Sequence, residues 1–227
     1  MAGAPFHWRQ FDAYLFDIDG TLANTRGGVH YNSFHTALRE VYGCLGRIDP
    51  VPVHGNTDVG ILRAALEYHG HRSNDFAALL PKAQELMCAE VARNAADMEV
   101  ELCPAIPELL AVLRREGKLI GVVTGNFEAI GWRKLERAGI RECFAFGSFS
   151  GEREKREDIF RHGIELARRR RGPATSVCFV GDTPSDIRAA VELGVPIIAV
   201  ATGIYSREDL AREAPTLCIP SCAELIT

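Results

Sequence analysis

The chain predicts an α/β fold, a Rossmann-like parallel sheet core with an inserted helical domain, on three observations. Short apolar runs alternate with helix-forming segments through the C-terminal half, the pattern of a parallel sheet covered on both faces. From about Gly28 to Glu101 the sequence carries helix formers and no strand-like run, too long a passage for an ordinary crossover. Three of the apolar runs end in aspartate, threonine and glycine, at the strand edge where open α/β sheets bind ligands. The division that follows places residues 1–24 and 103–227 in the core and residues 25–102 in the insert.

The first strand is short, Ala13 to Asp17. In the helical block, Phe34, Ala37, Leu38 and Val41 of "YNSFHTALREVYG" fall on one stripe. Val59, Leu62, Ala65 and Leu66 of "DVGILRAALEYHG" do likewise, and Gly70 is a stop signal. A longer helix is expected over Ser73 to Asn94, with Asp75 in its first turn and Pro81 as a break or a divider between two helices. No strand is expected in this block.

After Pro104 the texture changes. "PAIPELLAVLRREG" predicts a helix ending at Gly117, and "KLIGVVTG" a buried strand. A helix in "NFEAIGWRKLERAG", a strand in "CFAFGSF" and a helix in "REDIFRHGIELARRRRG" follow. Then come the strand "SVCFVGD", the helix "SDIRAAVELG" and the strand "PIIAVATG". A short helix in "SREDLAREA" opens on a Ser206/Asp209 pair resembling a capping box, and "TLCIPS" is a last short strand.

Composition removes several classes of function. Hydrophobic content of 47% with 25% charged residues is that of a globular chain rather than a disordered one. A net charge of −4 gives no electrostatic case for nucleic acid or an anionic membrane. Apolar runs stop well short of the ~20 residues a membrane span needs. The stretch "MAGAPFHWRQFDAY" lacks the pattern of a signal peptide. The seven cysteines show no CxxC pair or metal-ligand spacing and several have apolar neighbours, which suits a reducing, cytoplasmic setting.

The chemistry lies at the strand ends, in "DIDGT" (Asp17 to Thr21), "TGN" (Thr124 to Asn126) and "GDTPSD" (Gly181 to Asp186). Asp17 and Asp19 alone would read as turn residues. With "GDTPSD" they bring four aspartates to one crevice, and carboxylates kept ionised together require a cation. Ligands that are all oxygen favour a hard ion, and Mg²⁺ bridges one or two carboxylates to a substrate phosphate. Thr124 and the amides following Thr124 and Asp17 are placed to bond phosphate oxygens. An aspartate beside such a metal is a workable nucleophile toward phosphorus.

These motifs, each at an expected strand end and in this order, resemble those of the haloacid dehalogenase-like hydrolase superfamily. The large helical insert after the first motif and the tail "GVPIIAVATGIYSREDLAREAPTLCIPSCAEL" are similar to its phosphoglycolate phosphatase-like branch. The resemblance implies that the insert is a cap and that Asp17 is the nucleophile forming an aspartyl-phosphate. It implies that Asp19 is general acid to the leaving oxygen, then general base for water. Thr124 would hold a phosphate oxygen, with Gly20, Thr21, Gly125 and Asn126 in the phosphate- or substrate-binding loops. Asp182 would ligate Mg²⁺ with Asp17 and the Asp19 backbone carbonyl, and Asp186 would support the metal's shell. The superfamily's basic residue, usually lysine followed by proline, falls here in "GEREKREDIF", which has no proline. Alignment to the helix start favours Arg156, then Lys155, then Arg153.

Blander readings stand beside these. Asp186 sits where a helix begins and so also suits the helix dipole. Thr21 is equally a turn residue, and Asn126 also suits the cap of a helix starting at Phe127. His69 and His71 lack a third ligand and read as solvated, and "ARRRRG" reads as a solvated helix end. The loop "HGNTDVG" either reaches over the site or is an ordinary turn. Lys82, the one lysine of the insert, lends no support to a phosphonate hydrolase. The expected activity is Mg²⁺-dependent hydrolysis of a small phosphorylated metabolite, phosphoglycolate-like, by a monomer or homodimer. The alternatives are a phosphomutase of β-phosphoglucomutase type and a non-catalytic binding protein on the same fold.

Overall fold

The computed structural model describes residues 6–71 and 75–226 of the chain. Six parallel strands form the main sheet: β1 (Ala13–Phe16), β4 (Leu119–Val123), β5 (Phe146–Ser148), β6 (Val177–Gly181), β7 (Ile197–Val200) and β8 (Leu217–Ile219). They lie in the order β5-β4-β1-β6-β7-β8. The parallel-sheet expectation is met, and β1 is central, with Phe16 in register with Val122 of β4 and Val180 of β6.

Alternation along β1 divides its side chains between two cores, as the pleat requires. Tyr14 and Phe16 join Ile120, Val122 and Val180 against Leu109 and Leu113 of α4 (Ile106–Arg115) and Leu135 of α5 (Glu128–Arg137). Ala13 and Leu15 face the other way with Phe179, against Phe160 of α6 (Arg156–Arg171) and Ile187 of α7 (Pro184–Glu192). Leu210 of α8 (Arg207–Arg212) completes that layer. Phe160 and Phe179 stack with ring centroids 4.2 Å apart, a geometry worth about 1 kcal/mol beyond area burial. Both helical layers cover strands that are buried throughout, which is why those strands read as unbroken apolar runs.

The insert holds α1 (Val29–Tyr42), α2 (Asp58–Tyr68) and α3 (Phe76–Arg93). Phe34, Leu38, Leu62, Leu66, Met87 and Val91 form its apolar cluster, and Phe127 and Ile130 from the segment of α5 belong to the same cluster. The stripes read at helical spacing are the buried ones, with Val41 half-buried at the edge of the cluster. Two expectations need correction. The chain enters and leaves the insert through an antiparallel pair, β2 (Ala23–Arg26) and β3 (Glu99–Leu102), with Ala23 opposite Leu102 and Arg26 opposite Glu99. The division at residues 24 and 25 thus falls within β2 and that at 102 and 103 at the end of β3. These strands are largely exposed and polar, so no apolar period announces them. Pro81 lies inside α3 without dividing it; the expected start at Ser73 is outside the described residues.

Among the described residues no helix is long and apolar enough to cross a membrane. All seven cysteines are free.

Candidate active site

The carboxyl ends of β1, β4 and β6 converge where the strand order reverses, and the aspartates meet there. Asp17, Asp182 and Asp186 each offer a carboxylate oxygen, and these atoms lie within 4.8 Å of one another. All three residues are buried. Arg156 Nη1 lies 3.3 Å from Asp17 Oδ1 and 3.2 Å from Asp186 Oδ1, and its side chain is buried too.

Each acid is held by something different. Thr21 Oγ1 donates to Asp182 at 2.9 Å. Asp186 is the third residue of α7 and closes a capping box with Thr183: its Oδ2 accepts from the Thr183 amide at 3.1 Å and hydroxyl at 2.7 Å. Its Oδ1, in the cluster, has no hydrogen-bond donor. The helix-start reading and the metal-shell reading of Asp186 therefore concern two different oxygens of one carboxylate. Asp182 is wedged between two glycines. A Cβ on Gly20 would stand 2.2 Å from Asp182 Oδ2, and one on Gly203 would stand 1.8 Å from it. Gly20 also has φ of +82°, a conformation side chains disfavour.

The electrostatics follow from this crowding. Burial, reinforced by Asp186 and Asp19 and opposed by Arg156, pushes the Asp17 carboxyl up to about 7. Burial and then the charges of Asp17 and Asp186 raise Asp182 well above the ordinary carboxylate range. One guanidinium does not neutralise three carboxylates. An oxygen donor set, a buried oxygen that receives no hydrogen bond and two charges uncompensated by Arg156 fit a hard divalent cation such as Mg²⁺.

Asp19 stands apart. Lys134 Nζ on α5 donates to its Oδ1 at 2.8 Å and to its Oδ2 at 2.6 Å. Asn126 Nδ2 donates to Oδ2 at 2.8 Å and to Thr124 Oγ1 at 2.8 Å, and Asn126 Oδ1 accepts from Lys134 at 2.8 Å. Burial would raise the Asp19 carboxyl, but Lys134 and Asn126 outweigh it and hold it below its ordinary value. The Asp19 carboxylate is thus outside the acid cluster.

A cleft of about 470 Å³ opens above these residues. Asp17, Asp19, Gly20, Thr124, Gly125, Asn126, Arg156 and Asp182 all line it, together with Phe34, His54 and Asn56 from the insert. The loop "HGNTDVG" does reach over the site. The Asp58 amide donates to Gly125 O at 2.8 Å, and Asp58 Oδ2 accepts from the Phe127 amide at 2.7 Å. Thr57 Oγ1 donates to Glu154 O at 2.8 Å, and Arg63 grips the Glu154 carboxylate with two bonds of 2.7 Å. The first turn of α2 is therefore fastened to both the Thr124 loop and the segment leading into Arg156.

Other expected residues fall elsewhere. Of the three basic candidates Arg156 reaches the acids, whereas Lys155 is exposed at the N-cap of α6 and does not line the cleft. Asn126 does not cap α5; its amide serves Asp19 and Thr124, and the Phe127 amide at that helix start is taken by Asp58 instead. His69 bonds the Arg47 carbonyl at 2.8 Å. Of the arginine run, Arg170 covers the Phe146 ring and Arg171 donates to the Gly117 carbonyl. Lys82 is exposed on α3. Two residues were missed, Lys134 and Gly203. The signal for Lys134 was its place on the stripe of Ile130, Gly131 and Leu135, where a lysine has no solvent to reach.

Residues 14–200 match the family described as haloacid dehalogenase-like hydrolase. The chain is similar to "Probable phosphatase IndB" of Dickeya dadantii, 26% identical over 93% of this chain and 90% of that protein. It is also similar to a phosphoglycolate phosphatase of Synechococcus elongatus, 25% identical over 94% and 95% of the two chains. The fold is shared with the β-phosphoglucomutase structure from Clostridium difficile, with a TM-score of 0.67 at 17% identity, covering 95% of this chain and 93% of that one. The match runs from β1 to the end of β7 and takes in every strand end that builds the cluster, so the chain belongs to the haloacid dehalogenase-like hydrolase family.

Proposed function

We propose that the protein is a Mg²⁺-dependent phosphoric monoester hydrolase of the cytoplasm, acting on a small phosphorylated metabolite through an aspartyl-phosphate on Asp17. One observation carries the reading: three buried acids share a site with Arg156, while a fourth, Asp19, is held separately beside the same cleft. Mg²⁺ would be held by Asp17, Asp182, Asp186 and the Asp19 main-chain carbonyl, and would supply charge neutralisation on the phosphate oxygens. The residues do the rest. Arg156 orients Asp17 and faces the phosphoryl group, and Thr124 Oγ with the Gly125 amide holds its oxygens. Asp17 attacks phosphorus as the ester oxygen departs with a proton from Asp19. Water then attacks the aspartyl-phosphate, giving a proton back to Asp19.

Asp19 favours a phosphatase over a dehalogenase, because an alkoxide needs a proton to leave and a halide does not. The two relatives named phosphatases support this reading. The mutase reading rests on the shared fold of a β-phosphoglucomutase. Phosphate release from a panel of phosphometabolites with Mg²⁺, phosphoglycolate first, tests the proposal. Hydrolysis is expected. Isomer formation from a hexose 1-phosphate without free phosphate would select the mutase, and no turnover on any ester would select the binding protein.

A further inference from the structure

The geometry points to Lys134 as a positioning residue that, with Asn126, fixes the Asp19 carboxylate for proton transfer to and from the cleft. The inference rests on the phosphatase reading above. Lys134 is 2% exposed, and its three bonds go to Asp19 Oδ1, Asp19 Oδ2 and Asn126 Oδ1. An ammonium with all three donors engaged has none left for a substrate, so it acts through Asp19 rather than on the ester.

The direction of the demand is informative. The Asp19 side chain is 44% exposed to the cleft. Burying a lysine is costly, and here all three of its donors go to Asp19 and to the Asn126 that also bonds Asp19. What the pair adds is orientation. One edge of Asp19 is fixed by Lys134 and Asn126, and the exposed remainder faces the cleft. Asn126 also bonds Thr124, so the Asp19 carboxylate is placed relative to the expected phosphate-binding hydroxyl. The ion pair is the arrangement Asp19 reaches once its proton has gone to the leaving oxygen. In the second half-reaction a water oxygen bonds to phosphorus, the Asp17–phosphorus bond breaks, and the water's proton goes to that oriented carboxylate.

Lys134→Met and Lys134→Gln test this with two esters, an alkyl phosphate with a poor leaving group and 4-nitrophenyl phosphate with a good one. For the alkyl ester kcat/KM is expected to fall more than tenfold further than for the aryl ester, which leaves without help. Because both esters form the same phospho-enzyme, kcat is expected to fall on both toward one shared value, with a burst of nitrophenol. In an Asp19→Asn background the Lys134 substitutions are expected to add nothing. Equal losses of kcat/KM on both esters, or the same loss with Asp19 absent, would overturn the positioning role. Wild-type protein inactive on both esters would instead count against the phosphatase reading itself. Lys134→Gln keeps a hydrogen-bonding side chain in the burial site, so the comparison stands if the methionine variant does not fold.

Discussion

Replacing Asp17 by Asn is expected to remove activity and to strengthen the fold. The substitution removes the nucleophile proposed above, so turnover is expected to stop. At the same time one of three carboxylates crowded within 4.8 Å is neutralised at nearly constant volume. Burial, Asp186 and Asp19, working against Arg156, raise this carboxyl from 3.8 to about 7 in the folded chain. A carboxyl whose folded value exceeds its unfolded value binds its proton more tightly when folded. Its stabilising contribution is therefore complete below 3.8 and lost as pH rises through about 7. At about 1.4 kcal/mol per unit, ionised Asp17 costs the metal-free protein about 4 kcal/mol near pH 8. Arg156 still has Asp186 at 3.2 Å in the variant, so no cation is stranded. Urea titration in a chelator is expected to show the variant more stable than wild type by up to about 4 kcal/mol near pH 8, with the gap closing near pH 4. Added Mg²⁺ is expected to stabilise wild type and narrow the gap. A variant equal to or weaker than wild type in chelator near pH 8 would refute the argument from charge crowding.

Other substitutions probe the rest of the site. Gly203→Ala places a carbon 1.8 Å from Asp182 Oδ2, and Thr21 holds that carboxylate in place; the Mg²⁺ concentration for half-maximal activity is expected to rise at least about tenfold, with about 1–3 kcal/mol of overpacking in a denaturant titration. Thr183→Ala breaks the capping box of α7 and is expected to cost about 1 kcal/mol by the same titration. Arg63 and Glu154 have side chains 43% and 36% exposed, so a double-mutant cycle on stability should give a coupling below about 1 kcal/mol. Steady-state kinetics on Glu154→Gln are expected to show KM rising with kcat little changed, because the bond holds the insert against the segment leading into Arg156 rather than touching phosphorus.

The sequence displayed the sheet well because β1, β6 and β7 are buried on both faces, leaving continuous apolar runs that stop abruptly at Asp17, Asp182 and Thr202. Acids and a threonine at such stops are visible without coordinates. The β2–β3 pair was hidden because backbone pairing alone defines it, and "ANTR" and "EVEL" show solvent most of their side chains. Asn126 misled because the residue before a helix so often caps it, and here an acid from another part of the chain, Asp58, serves the first amide. Lys134 misled for a different reason. In "WRKLERAG" it stands among the exposed or half-exposed Arg133, Glu136 and Arg137, and only its register against Ile130 separates it from them. Pairwise distance, not local pattern, identifies a buried charge whose partner lies 115 residues away.

Phe127 and Ile130, in the segment of α5, lie in the apolar cluster of the insert, while Lys134 farther along α5 holds Asp19. The insert is therefore not an exchangeable module. Transplanting the corresponding segment from a relative would leave Phe127 and Ile130 facing unfamiliar side chains, and the resulting tilt of α5 would reach Asp19 before it reached Asp17. Chimaeras of this kind should still be phosphorylated by an aryl ester, whose leaving group needs no proton, while losing turnover, unless the apolar face of α5 travels with the transplant.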